Sequence, residues 1–269
     1  MGVVFSEDRI VPTWLAAVKH LQANGRRARN LVLEIDHPKL LTPGDQSAIA
    51  AVDTALRRHA DLSVLTVAGT IFPQALYRRH GAEGLAERFL KIMSRAKKKG
   101  TWGTYAMRMM QRRGRKTGTT FNPLEQVIFK LKRASTPGDG KPYESVYEMG
   151  VHLAEDLDGE PFEPATCELP TFDSALDGGM VSNMPCLSHL TFKLTEAKSV
   201  DLTAIYRSHY YAQRALGNLI GLAHLLSFVA EQTDLEVGQL TCISTDATLD
   251  FENWGGAPAG RALLTQIDV

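Results

Sequence analysis

The sequence predicts an α+β fold, a mixed β-sheet packed against helices, and three observations predict it. Apolar residues at helical spacing alternate along the chain with short strand-like runs. Two runs of alternating polarity, "LSHLTFKL" and "VDLTAIYRS", are parted by the short polar turn "TEAKS". The segment after them, "YYAQRALGNLIGLAHLLSFVAEQT", is a long helix, apolar nearly all round its middle. Such a helix has to be buried, and the hairpin beside it supplies a sheet to bury it against.

The remaining elements follow in chain order. Val11 to Asn24 alternates at helical spacing and stops at Gly25, and "RNLVLEIDHP" then reads as a buried strand ended by Pro38. In "TPGDQSAIAAVDTALRRHA", turn residues precede Ala, Ile, Val and Leu recurring at threes and fours, so a second helix is expected. The β-branched residues of "LSVLTVAGTIFP" predict a strand or a buried segment. "PLEQVIFKLKRA" is an amphipathic helix with Pro123 in its first turn. From Thr136 to Asp177 the density of Pro, Gly, Asp and Glu predicts irregular structure with one strand at "ESVYEMGVHLA". "DLEVGQLTCISTDATLDF" closes the chain with a turn at Gly238 and a strand. No repeat or composition shift marks a boundary, so residues 1–269 are read as a single domain.

Composition bounds the function. The chain is 44% hydrophobic and 22% charged, which provides for an ordinary core and excludes a disordered class. Its three cysteines, Cys167, Cys186 and Cys242, show no CxxC spacing, and its first residues lack a basic segment followed by an apolar one. A reduced, cytoplasmic protein without a membrane span is expected. Net charge is zero, yet "ERFLKIMSRAKKKG" and "RMMQRRGRKTG" are basic while "GEPFEPATCELPTFDSALDG" is acidic. The basic runs either contact nucleic acid or another polyanion or form a solvated helix face and loop balanced by an acidic loop nearby, and the second reading is favoured, so a nucleic-acid partner is not the expectation.

Four residues carry candidate chemistry. Cys186 follows Pro185 at the entrance to a strand, and a cysteine there is either a small buried hydrophobe or a nucleophile whose thiolate a nearby guanidinium favours. Arg207 and Ser208 end the second hairpin strand, where they form a surface pair or offer a fork and a hydroxyl to a phosphate. Asn218 sits inside the apolar helix, where an unpaired amide costs roughly 1–3 kcal/mol. It therefore either binds a backbone group or presents donor and acceptor to a ligand such as a pyrimidine edge.

With those residues set out, "MPCLSHLTFKL", "IYRSH", "ALGNLIGL" and "AEQTDLEVGQL" together resemble, in order and spacing, the thymidylate synthase and pyrimidine hydroxymethylase superfamily. "WGTYAMRMM" and "NPLEQVIFKLK" resemble the family's tyrosine-containing segment and the helix after it. The resemblance implies a single thymidylate synthase-like domain that forms a homodimer and acts on a pyrimidine nucleotide. It implies that Cys186 adds to C6 of the base, so that C5 captures a one-carbon unit from 5,10-methylenetetrahydrofolate as methyl or hydroxymethyl. Tyr105 would assist proton removal from C5, Arg207 and Ser208 would hold the phosphate, and Asn218 would bond the base edge. Tyr210 stands where the family has an aspartate against the pterin, which implies a cofactor contact there. Thr248 and Asp250 stand where the family contacts the sugar, which implies a role for Asp250 in sugar binding. Leu187 replaces the family's histidine beside the nucleophile, and "VAGTIFP" lacks its proton-relay glutamate.

Overall fold

A computed structural model describes residues 2–96, 102–114, 118–136, 167–173, 177–180, 184–195 and 198–267 of the chain. The first turn of chain is a strand, β1 (Val3–Glu7), followed by helix α1 (Ile10–Ala23) and strand β2 (Arg27–Ile35). Strands β1 and β2 run parallel, so α1 is the crossover of a βαβ unit, with Val11, Trp14, Val18 and Leu21 fully buried along one side of it. Helix α2 (Pro43–Ala60) begins at a capping box in which the Thr42 side chain accepts from the Asp45 N–H and the Asp45 carboxylate accepts from the Thr42 N–H.

Helices α3 (Val64–Ile71), α4 (Gln74–His80), α5 (Leu85–Ala96) and α6 (Tyr105–Met110) come next. Of the two expectations for "LSVLTVAGTIFP", a strand or a buried segment, the second holds: α3 is a helix with Val64, Val67, Ala68 and Ile71 buried. Ser63 caps it by accepting from the Thr66 N–H at 3.0 Å. Tertiary packing supplies the rest: Gly217 and Gly221 of the long helix let α3 approach so closely that a Cβ at Gly217 would lie 2.6 Å from Val67 Cβ. Strand propensity is a weak signal beside a cap and a close helix contact.

A short ribbon, β3 (Arg112–Arg113) and β4 (Thr120–Phe121), leads into α7 (Pro123–Ser135), where Asn122 caps the N-terminus and Pro123 opens the first turn as expected. The expected strand at 144–154 lies outside the described residues. Strand β5 (Cys167–Glu168) precedes the hairpin of β6 (Leu187–Leu194) and β7 (Ser199–Tyr206), antiparallel as the alternation predicts. Strand β8 (His209–Tyr210) and one π-helical turn (Tyr211–Ala215) then lead into α8 (Leu216–Thr233). Strand β9 (Glu236–Thr248), a 3₁₀ turn (Phe251–Trp254) and α9 (Ala257–Gln266) finish the described chain.

Among the described residues the main sheet has the order β1-β2-β9-β7-β6-β5, and β8 also pairs with β9. Strands β7 and β9 are parallel with α8 as their crossover, while β2 pairs β9 antiparallel, so the sheet is mixed. This is the α+β arrangement that the sequence predicts, with one continuous hydrophobic core between sheet and helices. Gly238 is not a turn. It lies within β9 beside a register shift at Val200/Leu202, and Asp201 Oδ1 occupies the space a side chain would need while accepting from the Gln239 N–H at 2.8 Å.

Part of the basic stretch also differs from a solvated face. Arg108 makes a bidentate pair with Asp177, whose side chain is 1% exposed, and Arg112 binds Asp173 at 3.0 Å. The acidic segment thus neutralises these arginines by direct contact. Burial alone would raise the Asp177 carboxyl, but hydrogen bonds from Arg108 and the Asp173 N–H, with the charges of Arg108 and Arg112, hold it below its ordinary value.

Candidate active site

The loop before β6, the β8 segment, the π-helical turn, the start of α8 and helices α3 and α6 meet around a cleft of about 500 Å³. That is a volume suited to a small organic ligand. The chain reaches it for local reasons. Pro185 precedes Cys186, the main chain of Cys186 accepts from the Arg207 N–H at 2.8 Å, and the ladder shifts register between Leu187 and His189. A bulge at a strand's first residues re-aims the side chains there. Cys186 consequently lines the cleft, half-buried, instead of entering the core.

Tyr105, the first residue of α6, takes up the backbone behind the thiol. Its hydroxyl oxygen accepts from the N–H of Cys186 at 3.2 Å and of Leu187 at 3.3 Å. Burial, then the neighbouring Cys186 charge, push the phenol up to about 12 against the effect of those two bonds. It stays protonated at neutral pH and so can donate its own hydrogen toward the cleft that it lines. Trp102 lies over it with ring centroids 4.9 Å apart, and the Arg108 guanidinium lies 5.4 Å from the Trp102 ring centre.

The thiol sits between opposing influences. Burial raises Cys186 above the ordinary cysteine value, and the charges of Arg207 and Arg214 pull it back. Arg207 stands close behind the nucleophile. Its guanidinium donates to the Pro185 carbonyl and lies 4.8 Å from the Phe172 ring centre, while its Nε has no hydrogen-bond partner among the described residues. Ser208 lines the cleft itself. Arg214, from the π-helical turn, also lines the cleft, and its Nε donates to the side-chain Oε1 of Gln213 at 3.1 Å. Sequence reasoning missed Arg214 and Gln213. The available signal was the pair "QR" standing between the Arg-Ser motif and Asn218; Arg214, seven residues past Arg207, lies in the π turn and acts on the same thiol as Arg207.

Asn218, 4% exposed in α8, lines the cleft with its Nδ2 3.0 Å from His209 Nε2. Tyr210 is 44% exposed at the cleft. Asp250 is placed elsewhere: its carboxylate accepts from the Ala212 N–H at 2.9 Å and from Asn253 Nδ2 at 2.8 Å. There it anchors the π turn, and it is not among the residues that line the cleft. Cys242 is fully buried in β9, where burial pushes its thiol up to about 12, and it is a core residue. No group of three or more metal-binding side chains exists among the described residues, and none of the described helices is long and apolar enough to cross a membrane.

The structure therefore brings together Cys186, Tyr105, Ser208, Tyr210 and Asn218, sets Arg207 behind them and leaves Asp250 outside. No family model matches the chain. It is similar to a protein of Methanococcoides burtonii named "Putative thymidylate synthase", 34% identical over 86 residues, which is 32% of this chain and 37% of that relative. A Methanosarcina mazei protein of the same name is 36% identical over 74 residues, 28% of this chain and 34% of its own length. In these two the match spans about a third of the relative. One from Methanothermobacter marburgensis, again of that name, is 24% identical over 251 residues, 92% of each chain. These likenesses support a divergent thymidylate synthase-like relationship.

Proposed function

We propose that this chain is a thymidylate synthase-like enzyme that transfers a one-carbon unit, as methyl or hydroxymethyl, to C5 of a pyrimidine nucleotide. One observation carries the reading: a cleft-lining cysteine with two arginines beside it, a tyrosine hydroxyl holding its backbone, and a buried amide across the same cleft. The Cys186 thiolate forms a bond to C6 of the base, and the ring electrons move to C5, making C5 the nucleophile. Once the one-carbon unit is attached, the C5 proton passes to a solvent water hydrogen-bonded by the protonated Tyr105 hydroxyl, and the Cys186 thiolate leaves C6 as the ring double bond re-forms. Ser208 and Arg214 in the cleft, with Arg207 behind Cys186, provide a hydroxyl and positive charge for the phosphate. The base edge meets Asn218.

Trp102 and the partly exposed Tyr210 both line the cleft, and this aromatic side suits a flat heteroaromatic cofactor. Methylenetetrahydrofolate, when bound, would supply the one-carbon unit, with the hydride of its reduced pterin completing a methyl product or water completing a hydroxymethyl product. Tyr210 would offer one donor and one acceptor to the polar edge of that cofactor. As in the sequence reading, a homodimer is part of the proposal.

A nucleotide-binding protein without this chemistry is the second reading, and burial of the Cys186 thiol favours it, since burial opposes thiolate formation. Tritium release from 5-tritiated uridine and cytidine nucleotides separates the two. The enzyme reading expects release that Cys186→Ser abolishes while nucleotide binding persists. Nucleotide binding with no release under any combination of folate and substrate establishes the binder.

A further inference from the structure

Asp250 stands outside the cleft, yet a run of hydrogen bonds leads from it to Arg214 inside. The Asp250 carboxylate accepts from the Ala212 N–H at 2.9 Å and from Asn253 Nδ2 at 2.8 Å. Gln213 Nε2 donates to Asn253 Oδ1 at 3.1 Å, and Gln213 Oε1 accepts from Arg214 Nε at 3.1 Å. An arginine only donates, so the oxygen of Gln213 has to face it, and the nitrogen of Gln213 then faces the oxygen of Asn253. That leaves the Asn253 nitrogen for Asp250, which accepts. Both amides are therefore satisfied in one direction only. Asp250 is 8% exposed, so water competes little at that end of the run. Arg207 is held separately, by the Pro185 carbonyl and Met184 Sδ.

What the run holds in place bears on the thiol. Cys186 and Arg214 line the same cleft, and the charge of Arg214 favours the thiolate. The other groups that face Cys186 are Tyr105 of α6, Tyr206 at the end of β7 and Arg207 after it. Burial pushes Tyr105 up to about 12 and raises Tyr206 well above its ordinary value, and it lowers His209, also in the cleft, to about 3. All three stay uncharged near neutral pH, which leaves the two arginines as the charges acting on the thiol among the described residues. A guanidinium on a long side chain is a weak source of charge unless its distance is fixed, because the attraction falls with separation and holding the side chain costs entropy. We propose that Asp250, Asn253 and Gln213 are positioning residues, a hydrogen-bonded strut that sets Arg214 beside Cys186, so that Asp250 and Asn253 control the reactivity of the thiol from outside the cleft. Its consequence for catalysis rests on the reading of Cys186 as the nucleophile.

The test is the pH profile of Cys186 alkylation by iodoacetamide in the full chain, read by mass spectrometry, with the buried Cys242 as the reference for folding. Iodoacetamide is uncharged, so a change at the arginine alters the thiol and not the approach of the reagent. Asn253→Leu keeps a similar size and deletes both of the residue's bonds in the strut. Its profile should move to higher pH, with alkylation at neutral pH slower by about threefold to tenfold because less thiolate is present. In an Arg214→Leu background the same change should alter the rate by less than about twofold, since a residue that acts through Arg214 then has nothing to act through. Gln213→Met breaks the strut at its other joint and should reproduce the shift; the proposal is judged on it where a reactive Cys242 shows Asn253→Leu to be unfolded. In the unaltered protein the Arg214 Nε–H should exchange with solvent at least about tenfold more slowly than that of the exposed Arg58, a readout that needs no variant. An unmoved profile in a folded variant, an equal shift in the Arg214→Leu background, or an Arg214 Nε–H that exchanges as fast as that of Arg58 overturns the strut and leaves the enzyme reading in place. A shifted profile beside absent tritium release from every nucleotide keeps the strut and removes the enzyme reading.

Discussion

Replacing Tyr105 by Phe removes one oxygen atom and strands two backbone groups. The hydroxyl accepts from the Cys186 N–H at 3.2 Å and from the Leu187 N–H at 3.3 Å, and Leu187 is fully buried. An unsatisfied buried donor costs roughly 1–3 kcal/mol. Both bonds are long and the Cys186 side is half-open to solvent, so the lower part of that range applies to each, giving about 2 kcal/mol in all. In a chain of this size that corresponds to a melting point lower by roughly 4–8 °C. Because the lost bonds hold the backbone of Cys186, alkylation of Cys186 should change in rate, while the buried Cys242 remains protected and acts as the internal reference. Differential scanning calorimetry and mass-spectrometric alkylation kinetics measure the two effects. A melting point within about 1 °C of the unaltered protein, with alkylation of Cys186 unchanged, would refute the assignment of Tyr105 as the anchor of the nucleophile's backbone.

Arg214→Leu removes one of the two charges that pull the Cys186 thiol down, so its pKa rises and the alkylation profile moves to higher pH, with slower reaction at neutral pH; an unmoved profile would place Arg214 too far away to act. Gly217→Ala puts a Cβ 2.6 Å from Val67 Cβ and 2.8 Å from the Val64 carbonyl oxygen, and should cost about 1–3 kcal/mol in urea unfolding despite the better helix propensity of Ala. A gain in stability would show that α3 does not pack there. Because the Asp177 carboxyl is held below its ordinary 3.8, the stability it contributes is complete above that value and disappears as pH falls through the lower folded one. Asp177→Asn should therefore cost about 3 kcal/mol at neutral pH and flatten the loss of stability below pH 4, and an unchanged acid profile in the variant would assign that loss to other carboxylates.

What the sequence by itself determined is what local patterning can encode. Alternation over Leu187–Leu194 and Ser199–Tyr206, with four residues between them, leaves a hairpin as the economical way to bury one face, and the apolar surround of α8 demands a place in the core. The Pro-Cys, Arg-Ser and Asn positions were likewise legible, because their order and spacing along the chain carry the resemblance. Tertiary structure decided the rest. The stretch that forms α3 was open between a strand and a buried segment because its β-branched residues say nothing of the glycines at 217 and 221 that receive it as a helix. Gly238 looked like a turn because the Asp201 carboxylate that fills its space is thirty-odd residues away in the chain, at a bulge only strand pairing creates. Asp250 looked like a ligand contact, and the π turn turned its carboxylate to the Ala212 N–H. Arg214 gained its place at Cys186, and His209 its hold on Asn218, from that same turn and the sheet beneath it, since charge and hydrogen bonding depend on distance through space and not on position in the chain.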